Sequence, residues 1–210
     1  MLQALEAEPD PARLRMPPAT AGLKVGLFGG SFNPPHRGHL LVAQTALKRL
    51  GLDRLWWMVT PGNPLKDHGA LRPLAERLDQ SLALARDPRI DVTAFEAAAA
   101  IRYSADTVRL ARQRRPGVRF VWIMGADSLA NFHRWQDWRG IAGAMPLAVI
   151  DRPGSTLALL SSPMARAFER ARVPEHLAAA LPLMDPPAWV FLHGPRSILS
   201  STAIRSRTKT

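Results

Sequence analysis

Two histidines flanking a glycine, His36 and His39 around Gly38, close the string Gly29-Gly30-Ser31-Phe32-Asn33-Pro34-Pro35-His36-Arg37-Gly38-His39. The string follows a short apolar run, Val25 to Phe28, and leads into an apolar segment compatible with a helix. Those residue types in that order suit a phosphate. Glycines directly after a strand let backbone N–H groups come close to an anion, and a helix N-terminus just beyond turns its partial positive charge toward the same point. The imidazoles add side-chain donors, Gly38 leaves room for a ligand, and Pro34 and Pro35 stiffen the approach. Glycines after a strand also make plain turns, and neither G-x-G-x-x-G nor G-x-x-x-x-G-K-[ST] is matched here. The pattern H-x-G-H sets this string apart.

A second anion cradle is written near the other end, Leu199-Ser200-Ser201-Thr202-Ala203-Ile204-Arg205. Adjacent hydroxyls suit a helix N-cap, and Arg205 lies three residues beyond Thr202, near one helical turn. Open N–H groups, hydroxyls and a guanidinium fork match what a triphosphate demands, although an ordinary capped helix would look the same.

The elements that must hold these residues alternate. Apolar runs Val25 to Phe28, Leu55 to Val59, Phe120 to Met124, Leu147 to Ile150 and Trp189 to Leu192 are strand candidates, with Ile90 to Val92 a weaker sixth. Between them Leu40 to Leu50, Leu74 to Arg86, Ala105 to Arg115 and Met164 to Arg172 have helical composition, stopped by Gly51, Pro88 and Pro116-Gly117. This alternation predicts an α/β fold, a Rossmann-like doubly wound parallel sheet in one domain over residues 23–210. Residues 1–22 hold four prolines and no sustained period, and are expected to form a flexible extension. Ligands of such sheets gather beyond the C-terminal strand ends. There the chain places Gly29 to His39, Thr60 to Lys66, Gly125 to Asp127 and Asp151-Arg152.

Composition limits the partners. The formal charge is +11, from 28 Lys and Arg against 17 Asp and Glu, which attracts polyanions of either kind, nucleic acid or phosphorylated small molecules. The densest basic run, Arg112, Arg114 and Arg115, falls at a helix end, where cations favour the dipole, and no aromatic residues interleave it. It reads as a solvated helix end, and no nucleic acid is expected. There are no cysteines, so disulfides and thiolate metal sites are excluded. No apolar run approaches the roughly 20 residues that span a bilayer, and the first residues lack a basic region followed by an apolar one, so no secretory leader is expected. No membrane association is expected, and the location expected is cytoplasmic. Oligomeric state is not written in the sequence.

The H-x-G-H string together with the late Ser-Ser-Thr-x-Ile-Arg run resembles the nucleotidyltransferase superfamily of adenylyl- and cytidylyltransferases. Thr60-Pro61-Gly62-Asn63-Pro64-Leu65-Lys66, Tyr103-Ser104-Ala105-Asp106-Thr107 and Gly125-Ala126-Asp127-Ser128 narrow the resemblance to bacterial nicotinate-nucleotide adenylyltransferase, over roughly residues 24–207. The resemblance implies transfer of the adenylyl group of ATP to nicotinate mononucleotide, giving deamido-NAD and pyrophosphate in NAD biosynthesis, with Mg²⁺ held mainly by the ATP phosphates and no protein metal ligands. It implies His36, His39, Lys66 and Arg205 as catalytic residues. It implies ATP contacts from Gly29, Gly30, Ser31, Phe32, His36, His39, Gly125, Asp127, Arg152, Ser201, Thr202 and Arg205, and nicotinate mononucleotide contacts from Asn33, Lys66, Ser104 and Trp135. Trp135 would stack on the pyridinium ring, although a tryptophan at that spacing can equally be packed in the core. Three positions depart from the common pattern: Asn33 for Asp, Leu65 for His and Ser104 for Thr. Phosphopantetheine adenylyltransferases and cytidylyltransferases share H-x-G-H and the late motif, and differ in acceptor.

Overall fold

The computed structural model describes residues 8–62, 71–151 and 161–194. Seven strands form one sheet in the order β3-β2-β1-β4-β5-β7-β6. They are β1 (Lys24–Gly30), β2 (Arg54–Val59), β3 (Ile90–Thr93), β4 (Arg119–Gly125), β5 (Leu147–Ile150), β6 (Arg172–Val173) and β7 (Trp189–Leu192). Every pairing is parallel. Parallel strands need crossover connections, here α1 (Arg37–Arg49), α2 (Leu74–Leu84), α3 (Phe95–Ala98), α4 (Ser104–Arg114), α5 (Ala126–Leu129), α6 (Trp138–Ala144) and α7 (Pro163–Ala167).

Successive strand residues face opposite sides, so one apolar run feeds two cores. Phe28, Leu55, Trp57, Val121, Ile123 and Ile150 pack beneath α1 and α2. Val25, Leu27, Trp56, Met58, Trp122 and Val149 pack beneath α4, α5 and α6 on the other face. The sheet is doubly wound, as its sequence predicts. The winding reverses between β1 and β4, where Phe28 pairs with Ile123 and the chain leaves toward α1 on one face and α5 on the other. That reversal opens a crevice beyond the strand ends, the place where such sheets take ligands.

Two segments differ from expectation. Residues 10–22 are tied to the domain and are not a loose extension: the Arg13 carbonyl accepts from Ala94 N at 2.8 Å, Arg115 donates to the Pro17 carbonyl at 3.2 Å, and Gly22 N donates to the Gly117 carbonyl at 2.9 Å. Met16, Ala19 and Leu23 pack on the core. A strap held by contacts with other segments needs no period of its own, which is why the sequence shows none. The helix expected over Met164 to Arg172 stops at Ala167, and after a 3-10 turn Arg172 and Val173 pair with Trp189 and Val190 as β6. A strand of two residues is too short to carry a period.

Candidate active site

The first turn of α1 is held by its own histidines. His36 is the N-cap, with extended φ −151° and ψ 169°, and its Nδ1 accepts from Gly38 N at 3.1 Å. In return His36 N donates to His39 Nδ1 at 3.2 Å. The two rings stack at 3.8 Å between centroids. This is a capping box built from imidazoles in place of Ser and Glu. A neutral imidazole whose Nδ1 accepts carries its proton on Nε2. The hydrogen-bond pattern therefore assigns both rings as Nε2–H donors, suited to anionic oxygen and unsuited to metal ligation.

Phe32 supports His39 from behind. It is buried, its ring meets His39 edge-on at 4.9 Å and lies tilted by 31° against Trp57 at 4.6 Å, and its φ is +42°. A bulky residue in that left-handed region is an outlier held by its surroundings, at a cost of order 1–3 kcal/mol. A Cβ at Gly30 would lie 3.1 Å from the Phe32 ring, so a side chain there would push that buried ring by a few tenths of an ångström. Asn33 is buried, and its Oδ1 accepts from Arg72 N at 3.3 Å.

Across the crevice the other candidates come from the opposite face. Ser104 is the first residue of α4, which has no side-chain cap, so its N–H is one of the open donors of that helix. Gly125 ends β4 and Asp127 lies exposed in the first turn of α5. Trp135 ends the 3-10 turn Phe132–Arg134 and is half-buried, 5.2 Å from Phe132 and edge-on to Trp122 at 6.1 Å. The structure thus brings Gly29 to His39, Ser104, Gly125, Asp127 and Trp135 to the C-terminal ends of the central strands and the helix starts around them. Lys66, Arg152, Ser201, Thr202 and Arg205 lie outside the described residues.

A sequence profile of the cytidylyltransferase-like family matches residues 27–207. A Rhizobium meliloti protein named "Probable nicotinate-nucleotide adenylyltransferase" is 66% identical over 184 residues, covering 88% of this chain and 98% of the relative. Relatives of the same name from Mesorhizobium japonicum and Brucella abortus are 64% and 63% identical, covering 92% and 87% of this chain and 100% and 94% of their own. The chain belongs to the nicotinate-nucleotide adenylyltransferase family. Its fold also matches a solved nicotinic acid mononucleotide adenylyltransferase of Plasmodium falciparum complexed with APC, with a TM-score of 0.64 at 13% identity over 88% of this chain and 83% of that one.

In this adenylyltransferase two buried charges escaped the sequence reading. Arg77 on α2 is 1% exposed, and burial lowers its pKa to about 10, so it stays charged near neutrality. The signal was present: Leu74, Arg77, Leu78 and Ser81 fall at i, i+3, i+4 and i+7, which places an arginine within an apolar stripe. Glu96 on α3 is buried, and its carboxylate accepts from Thr107 Oγ1 on α4 at 2.5 Å. Desolvation raises its pKa to about 7, against the smaller opposing effect of the Thr107 hydrogen bond. The basic run of α4 is partly structural. Arg115 holds the N-terminal strap, and Arg112 donates to the Ala144 carbonyl at the end of α6 at 2.6 Å.

Proposed function

We propose that the crevice between the β1 and β4 ends transfers the adenylyl group of ATP to nicotinate mononucleotide, forming deamido-NAD and pyrophosphate. The observation that carries this reading is the imidazole capping box, which fixes two Nε2–H donors at a helix N-terminus on the switch point of the sheet. An acceptor phosphate oxygen attacks the α-phosphorus as the bond from that phosphorus to the bridging oxygen breaks, and pyrophosphate leaves with the electron pair. No covalent protein intermediate is needed. The positive end of the α1 dipole and the Gly29 to Phe32 loop bind the donor phosphates, and His39 stabilises charge building on the α-phosphoryl group. Lys66 holds the acceptor phosphate, while Ser201, Thr202 and Arg205 hold the triphosphate tail and Arg152, Gly125 and Asp127 complete the ATP side.

Mg²⁺ is proposed to be carried on the triphosphate, where it would neutralise charge on the phosphate oxygens. The donor set fits that reading: His36 and His39 each accept at Nδ1, which leaves the Nε2 proton for phosphate oxygen and no lone pair for a metal. Among the described residues no helix is long and apolar enough to cross a membrane, and a cytoplasmic location suits the proposed substrates.

On the acceptor side, Asn33 contributes from the loop, and the open N–H at Ser104 reads the nicotinate carboxylate while Trp135 stacks on the pyridinium. With ATP and Mg²⁺, kcat/KM for nicotinate mononucleotide is expected to exceed that for nicotinamide mononucleotide by at least about tenfold. Pyrophosphate release with mass identification of the dinucleotide measures it. Equal use would remove the carboxylate reading, and turnover of phosphopantetheine alone would remove the acceptor altogether. Trp135→Ala is expected to raise KM for nicotinate mononucleotide about tenfold with KM for ATP little changed. An unchanged acceptor KM would return Trp135 to a packing role against Phe132 and Trp122.

A further inference from the structure

Arg77 is a buried cation whose hydrogen bonds all go to backbone carbonyls. Its Nη1 donates to Ser31 at 2.7 Å and to Thr60 at 2.8 Å, Nη2 to Pro61 at 3.3 Å, and Nε to Arg72 at 2.9 Å. Among the described residues no carboxylate forms an ion pair with it. Burying a charge without an opposite charge is costly, and a well-packed apolar side chain would serve a core at least as well. What the guanidinium supplies is a planar fork that reaches several acceptors at once, which neither an apolar group nor an ammonium can do.

The acceptors show what the fork joins. Ser31 belongs to the glycine loop after β1 and precedes Phe32, the residue whose ring backs His39. Thr60 and Pro61 leave β2 toward Lys66 in sequence, and Arg72 follows that segment. The Asn33 side chain adds a second tie by accepting from Arg72 N. We propose that Arg77 is a positioning residue for adenylyl transfer, holding the Ser31, Thr60 and Pro61 carbonyls so that the loop whose Phe32 ring backs His39 keeps its register against the exit of β2. The inference rests on the reaction proposed above. Arg77 touches neither substrate. It acts through Ser31 and Phe32 on one side and through the β2 exit on the other.

The test is steady-state kinetics of Arg77→Lys and Arg77→Gln, with Ser81→Ala as the structural control. Ser81 lies buried on the same helix, and its hydroxyl donates to the Arg77 carbonyl and not to either loop. All are assayed well below their melting temperatures, with the folded fraction measured by circular dichroism. Because misplacing reacting groups by about 1 Å costs of order 100-fold, kcat of both Arg77 variants is expected to fall at least about tenfold. KM for both substrates is expected to stay within about threefold, and Lys to retain more activity than Gln. Ser81→Ala should lose melting temperature and keep kcat. Methylguanidinium added to Arg77→Ala is expected to restore part of kcat. Folded Arg77 variants with kcat within twofold of wild type would overturn the proposal, and so would failure of every Arg77 variant to fold, since the residue would then serve the fold as a whole. Wild-type protein without turnover would sink the reaction itself and this inference with it.

Discussion

Replacing His39 with alanine is expected to lower kcat for dinucleotide formation by about 10²–10³-fold, the usual loss when one preorganised donor to a developing oxyanion is removed. The side chain has two functions, which can be separated. Its Nδ1 accepts from His36 N and closes the capping box, a contribution of about 0.5–2 kcal/mol to stability. Its Nε2–H is the proposed donor to the α-phosphoryl group. Asparagine offers an acceptor near the Nδ1 position and nothing near Nε2, whereas glutamine extends a donor toward Nε2. His39→Asn is therefore expected to melt close to wild type and lose activity like alanine, and His39→Gln to keep more activity. Rapid-quench measurement of single turnovers, alongside urea unfolding, checks both. If His39→Asn and wild type form dinucleotide at equal rates, the side chain caps α1 and does no more.

The second large effect is on stability. Unfolded Glu96 titrates near 4.5, while burial lifts it to about 7 in the folded protein. Between those values the native state binds a proton that the unfolded state has released, so unfolding free energy falls as pH rises. Stabilisation is full below about 4.5 and gone above about 7. A shift of that size corresponds to about 3 kcal/mol. Glu96→Gln keeps an acceptor for Thr107 Oγ1 and cannot ionise. The difference in unfolding free energy between Glu96→Gln and wild type is thus expected to grow by about 2–3 kcal/mol in favour of the variant from pH 5 to pH 8. Urea titrations of both proteins across that range measure it. A constant difference would mean that Glu96 takes the same charge in both states.

Much of the architecture was legible because burial on both faces makes parallel strands continuous apolar runs. Leu147 to Ile150 and Trp189 to Leu192 coincide with β5 and β7, and Val25 to Phe28 lies within β1. Elements held by distant partners were not legible. The strap over residues 10–22 rests on carbonyl contacts to Ala94 and Arg115, and the short 3-10 turn that ends at Trp135 has no period to read. The function of Arg77 was hidden for the same reason, since its four acceptors stand 5 to 46 residues away along the chain.

By itself the sequence determined the doubly wound class, because helix starts and apolar runs are local properties, and its motifs carried the resemblance to the family. Tertiary structure alone decided the strand order, the tautomers of His36 and His39 and the partners of the buried Arg77 and Glu96. Those depend on which backbone groups meet across the fold, and a charge or an imidazole takes its chemistry from what it meets.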